Sequence, residues 1–100
     1  MPVAVIFTSQ LVSPKPEVYA KVAAKISQLA SEQPGYIAEH SCRDEQGYGV
    51  SVSYWETEED ALKWKEHPVH KGTQERGRNE WYAWYQVDVA NIQRSYKHNK

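Results

Sequence analysis

The chain has 100 residues, of which 40% are hydrophobic and 25% charged. That is the composition of one folded domain, not of a disordered chain. Twelve basic and thirteen acidic residues leave a net charge of -1, which gives no electrostatic footprint for nucleic acid. The single cysteine, Cys42, excludes an internal disulfide and a cysteine-cluster zinc site and fits a reducing cytoplasm. The apolar run from Val3 to Phe7 is too short to cross a bilayer. No secretory signal is expected either. Four Trp and seven Tyr stand against one Phe. Aromatics with a polar edge suit interfaces and ligand pockets, which are apolar on one side and hydrogen-bonded on the other.

Val3 to Thr8 is a β-branched and apolar run that reads as a strand. Ser13 is placed to cap a helix, with Pro14 at its first position. Val18, Val22, Ile26 and Leu29, with Ala23 and Ala30 beside them, predict one amphipathic helix over about residues 15–32, with Lys15, Lys21, Lys25 and Gln28 toward water. Pro34-Gly35 stops it. Tyr36 to Arg43 and Tyr48 to Trp55 form a hairpin across the turn Asp44-Glu45-Gln46-Gly47. In the second of these strands Val50, Val52 and Tyr54 share one face and Ser51, Ser53 and Trp55 the other. In the first, Tyr36, Ala38, His40 and Cys42 fall on one face.

Thr57 followed by Glu58, Glu59 and Asp60 is an N-cap with an acidic first turn. Ala61, Leu62 and Trp64 give that short helix its apolar face, and Pro68 interrupts it. A second short helix runs from about Val69 to Asn79 and ends near Gly77. Trp81 to Gln93 is a long last strand, with Trp81, Ala83, Tyr85, Val87 and Val89 on one face and Tyr82, Trp84, Gln86 and Asp88 on the other. Tyr96 to Lys100 is a polar tail expected to fray. The order β-α-β-β-α-(α)-β is the split βαβ, ferredoxin-like arrangement: an α+β fold with an antiparallel sheet and helices on one face. The helices cannot cover the other face, and the aromatic last strand does not read as solvent-facing. A second copy of the chain, packed sheet on sheet into a dimeric α+β barrel, is the expected cover.

The stretch from Ser53 to Ala61 (Ser-Tyr-Trp-Glu-Thr-Glu-Glu-Asp-Ala), then Trp64, His70, Gln74, Gly77 and Arg78, then Trp81-Tyr82 and Tyr85, resembles the antibiotic biosynthesis monooxygenase domain family. The resemblance covers nearly the whole chain and implies a single domain over residues 1–95 that forms a homodimer. No metal or cofactor is expected, and the net charge and the short apolar run lead to no expectation of a nucleic-acid or membrane partner. The best-known members oxidise polycyclic phenols and anthrones to quinones with O2 and no cofactor, whereas others degrade haem. Haem-degrading members carry an Asn on the first strand and an iron-ligating His ten residues after the matching Trp. Here no Asn precedes Asn79, and the tenth residue after Trp64 is Gln74, a poor substitute for an axial imidazole. A non-catalytic dimer that binds a small apolar or aromatic ligand is the other alternative.

Cofactor-free oxygenation needs a proton acceptor, donors for the substrate oxyanion and aromatic walls that exclude water. The catalytic set read from the sequence is His70, Trp64, Arg78 and Tyr54. His70 is the proton acceptor, since it titrates near neutrality and falls at the family's His position. A helix His that merely bonds a carbonyl reads equally well from the residues. Arg78 is an anchor for an anionic substrate or a helix-terminus charge, and Tyr54 is a hydroxyl donor, as Tyr82 and Tyr85 could be. The substrate pocket is assigned Trp55, His67, Thr8 and Tyr85, although Trp55 and Trp64 also read as core, His67 as a solvent-facing junction residue, and Tyr82 and Tyr85 as dimer interface. His67 and His70 lack a third ligand for a catalytic zinc. His40 and Cys42, i and i+2 on a strand, stand about 7 Å apart and make an unpromising nucleophile pair. No nucleotide fingerprint is present.

Overall fold

The structure, a computed structural model, describes residues 2–13 and 17–100. The expected helix start at Pro14 and Lys15 lies outside the described residues. Four strands, β1 (Val3–Leu11), β2 (Tyr36–Arg43), β3 (Tyr48–Trp55) and β4 (Tyr82–Asn91), alternate with three α-helices, α1 (Glu17–Ser31), α2 (Glu58–Lys65) and α3 (Pro68–Arg76). The sheet order is β2-β3-β1-β4 and every pairing is antiparallel. This is the ferredoxin-like α+β fold expected from the sequence.

The core lies at one end of the layer between helices and sheet. Val3 and Trp55, partners across β1 and β3, pack with Ala30 of α1 and with Ala61 and Trp64 of α2. Trp55 is 1% exposed and its indole N–H donates to Ser53 Oγ at 3.0 Å, so the large ring is buried without stranding its polar edge. Thr57 caps α2 by accepting from the Asp60 amide at 3.1 Å, with Glu58, Glu59 and Asp60 in the first turn, where negative charge opposes the helix dipole. Leu62 departs from expectation: it is 54% exposed, because only Ala61 and Trp64 of this short helix reach the core.

Two register breaks correct the predicted faces. Ile37 is skipped between Tyr36 and Ala38, so Tyr36 turns to the helix side and meets Trp55 edge to face at 5.7 Å. Ala38, His40 and Cys42 stay on the far side. The last strand begins one residue later than predicted. Trp81 closes a π-helical segment, Gly77–Trp81, and is buried. Ala83 is then skipped against Gln10 and Leu11. An extra residue of this kind re-aims its neighbours, so Tyr82 joins Tyr85 on the helix side, both rings 5.4 Å from Phe7. Gly77 does not end the helix but continues it with helical dihedrals. A Cβ there would lie 2.7 Å from the Tyr82 ring.

The face away from the helices carries Ile6 and Thr8 of β1, Val50, Val52 and Tyr54 of β3, and Trp84 of β4. Trp84 is 46% exposed. No helix of the described structure is long and apolar enough to cross a membrane.

Trp55→Ala removes the largest buried side chain and is expected to cost about 3–5 kcal/mol in urea unfolding. Leu62→Ala should stay within about 0.5 kcal/mol.

Candidate functional site

Three aromatic rings are stacked from the sheet outward. Trp55 lies against Trp64, with centroids 6.5 Å apart and planes 25° apart. Trp64 lies against His70, at 4.4 Å and 13°. Trp64 is fixed by α2 and His70 by α3, one turn beyond the Pro68 break. His70 is therefore held over a buried indole and is itself half-buried.

His70 Nδ1 lies 3.2 Å from the Trp64 carbonyl oxygen. A carbonyl only accepts, so Nδ1 of the neutral ring carries the hydrogen and Nε2 keeps the lone pair. Burial holds this imidazole below its ordinary value of 6.5; the Trp64 carbonyl opposes that shift, His67 adds to it and Glu39 opposes it. At neutral pH the ring is an uncharged proton acceptor at Nε2, which is what a general base requires.

His67 has a different task. Its Nδ1 accepts from the Val69 amide at 3.2 Å and caps α3, with Pro68 at the first helical position. Its hydrogen is thus on the other nitrogen. Trp55 and Trp64, 1% and 8% exposed, are core and, through Trp64, the floor beneath His70. The core reading of Trp64 holds, and its ring also lies against His70.

A second group lies on the same side of the sheet. Tyr85 stacks on Phe7, and Arg78 of the π-helical segment donates to the Tyr85 hydroxyl at 3.3 Å, a bond that raises the guanidinium's affinity for its proton. The extra residue in each turn of a π-helix changes where its side chains emerge, and such turns recur at functional sites.

Tyr54 and Thr8 do not join these groups. They pair with Ala4 and with Val50 and Gln86, in the alternation that faces away from the helices. Tyr54 meets His40 edge to face at 5.9 Å, beside a shallow apolar groove lined by His40, Ser41, Cys42, Val50 and Val52. Strand periodicity gave the sharing of a face correctly. It could not tell which face the helix-borne His70 would meet.

Sequence reading missed Tyr19 and Arg43. Arg43, on the helix side of edge strand β2, donates to Ser9 Oγ at 2.8 Å and to the Tyr19 hydroxyl at 3.1 Å. The available signal was its pairing opposite Gly49: a Cβ at Gly49 would lie 2.6 Å from the guanidinium carbon.

The model of the family described as antibiotic biosynthesis monooxygenase matches residues 2–76. The chain belongs to the antibiotic biosynthesis monooxygenase family. The uncharacterized protein YqjZ of Bacillus subtilis strain 168 is 37% identical over 91 residues, spanning 91% of this chain and 79% of that protein. Among solved structures, SnoaB, a cofactor-independent oxygenase from Streptomyces nogalater, superposes with a TM-score of 0.80 at 12% identity, over 94% of this chain and 95% of SnoaB. Rv0793 from Mycobacterium tuberculosis gives 0.84 at 11% identity, over 97% and 100%. At these identities the two structures share the fold of the family with this chain, and the site rests on this chain's own residues.

The lowered His70 value has a consequence for stability. Below pH 6.5 the unfolded chain takes up this proton before the folded chain does, so the unfolded state binds more protons there and stability falls as pH drops. His70→Gln should flatten that dependence in urea titrations run between pH 7 and about 5. An unchanged slope would assign the loss to other groups.

Proposed function

We propose that this protein is a cofactor-independent monooxygenase that oxidises a small aromatic substrate of phenol, anthrone or quinol type with O2. The observation that supports this reading most is the His70 ring, kept uncharged and oriented on Trp64 with its lone pair on Nε2. The printed description of SnoaB as a cofactor-independent oxygenase supports the reaction class.

The chemistry follows from what O2 needs. Ground-state O2 takes electrons one at a time, and a neutral phenol or anthrone gives them up slowly. Removal of one proton by His70 yields the electron-rich anion. The anion passes one electron to O2, the resulting radical and superoxide combine through a new carbon–oxygen bond, and the peroxide so formed takes back a proton. Loss of water by O–O cleavage, with departure of the remaining hydrogen on that carbon, leaves the quinone. In sum, an anthrone and one O2 give one quinone and one H2O. O2 is the oxidant, and both substrate hydrogens leave in the water. Trp64 and Trp55 supply the apolar wall beneath the base. Arg78, through Tyr85, supplies positive charge at the other end of the layer.

The working unit in this reading is residues 1–95, in the cytoplasm, as a homodimer closed through the open sheet face. Ile6, Val50, Val52 and Trp84 on that face support the assembly, because such an apolar surface is costly to leave in water. Trp81, Tyr82 and Tyr85 do not enter that argument, since they turn to the helix side. Light scattering at micromolar protein is expected to give twice the chain mass, and Val52→Glu to give the single-chain mass. A wild-type monomer would remove the dimer.

Oxygen uptake by chelator-treated protein with anthrone and with hydroquinone substrates tests the reaction. His70→Ala is expected to lower kcat/KM by about 10²–10⁴-fold, the usual worth of a positioned general base, while kcat/KM of the wild type rises with pH and passes half of its plateau below pH 6.5. Turnover that survives in His70→Ala would remove His70 from the chemistry. No uptake by the folded wild type would leave the protein as a ligand-binding module.

A further inference from the structure

The end of the helix-side layer away from His70 holds a hydrogen-bonded chain that the reaction above does not use. It starts at Arg43. The guanidinium lies flat on Gly49, where no Cβ intervenes. Its Nη1 donates to the Gly47 carbonyl at 2.6 Å and toward the Ser9 carbonyl at 3.4 Å. Its Nη2 donates to Ser9 Oγ at 2.8 Å and to the Tyr19 hydroxyl at 3.1 Å. These acceptors are all neutral, and Ser9 is wholly buried. The cation is thus fixed in position without being neutralised by them.

The chain continues through two phenols. Tyr82 Oη–H donates to Tyr19 Oη at 3.1 Å. The Tyr19 oxygen therefore accepts twice, once from a cation and once from a phenol. Both bonds draw electron density from that oxygen, which makes its own O–H a stronger donor. Among the described hydrogen bonds that O–H has no acceptor. Burial and the bond to Tyr19 raise the Tyr82 pKa well above the ordinary phenol value, so Tyr82 stays protonated and keeps donating. The Tyr82 ring also packs on Phe7 and Tyr85, so the chain borders the aromatic surface on the helix side of the sheet.

We propose that Tyr19 donates a hydrogen bond to the ionised oxygen of an aromatic ligand lying on that surface, with Arg43 and Tyr82 as positioning residues that strengthen the donor. The ligand class is then an aromatic with an acidic hydroxyl, a phenol or the enol of an anthrone, bound as its anion. This rests on the reading that an aromatic ligand occupies the helix-side layer, and it adds to that reading the selection of the ionised form. The charged and titratable groups around the ligand oxygen are Tyr19 from α1, Arg43 from β2, Tyr82 and Tyr85 from β4, and Arg78 from the π-helical segment.

The test uses 4-nitrophenol, whose phenolate absorbs in the visible, bound to the full chain under argon. Titrating the bound probe is expected to show its pKa lowered by one unit or more, a tenfold or greater preference for the phenolate. Tyr19→Phe should abolish that shift, and Arg43→Met and Tyr82→Phe should each reduce it. Binding of 4-nitroanisole, which has no ionisable oxygen, should change less than twofold in Tyr19→Phe. A shift that persists in Tyr19→Phe would overturn the inference. So would parallel loss of 4-nitroanisole binding, which marks a merely structural role, or the absence of saturable 4-nitrophenolate binding by the wild type. Because no O2 is present, a protein that shifts the probe through Tyr19 yet takes up no oxygen with any substrate would retain this inference and lose the oxygenase reading.

Discussion

The stack of Trp55, Trp64 and His70 is the interaction on which the rest of the account depends. It begins as core. Trp55 closes the layer between helices and sheet, and Trp64 is the side chain through which α2 joins it. The same Trp64 ring and carbonyl then set the plane and the tautomer of His70. Stability and the proposed site chemistry therefore share a residue. Loss of Trp64 would both open a cavity and release the imidazole, so its variants cannot separate the two roles. Changes at His70 alone can, since that ring is half-buried and outside the core cluster.

Local irregularities do the rest of the positioning. A regular strand from Trp81 would alternate its aromatics across the sheet. The π-helical segment withdraws Trp81 into the helical layer, and the skipped residue at Ala83 brings Tyr82 and Tyr85 onto one surface with Phe7. Gly77 permits this because the Tyr82 ring occupies the space of its missing side chain. Gly49 does the same for the Arg43 guanidinium on the neighbouring edge. Polar and aromatic groups that are far apart in sequence reach one layer by close approach to backbone.

Much of this was legible in the sequence. The period-2 pattern of Tyr48 to Trp55 predicted both faces of β3, and the Thr57 cap predicted where α2 begins. The β-α-β-β-α-β order carried the fold. His70 and Trp64 were legible as candidates, and the structure brings them into contact. Tyr54 and Thr8 were not separable from them, because no strand pattern tells which face an α3 residue will meet. Tyr36 and Tyr82 were misassigned because they sit at register breaks, where one skipped residue reverses the facing assignment. Trp81 was misassigned because a π-helical segment delays the strand, and Leu62 because only Ala61 and Trp64 of α2 reach the core. Arg43 and Tyr19 were missed because their partnership spans two elements and depends on a glycine opposite, which periodicity does not report.

The central claim is that the fold presents His70 as a neutral ring with its hydrogen on Nδ1. Nitrogen-15 NMR of the histidine rings as a function of pH reads this directly, with His70→Gln identifying the resonance. The expected result is the Nδ1–H tautomer at neutral pH and a ring pKa below the ordinary 6.5. An Nε2–H tautomer, or a pKa at or above that value, would contradict it.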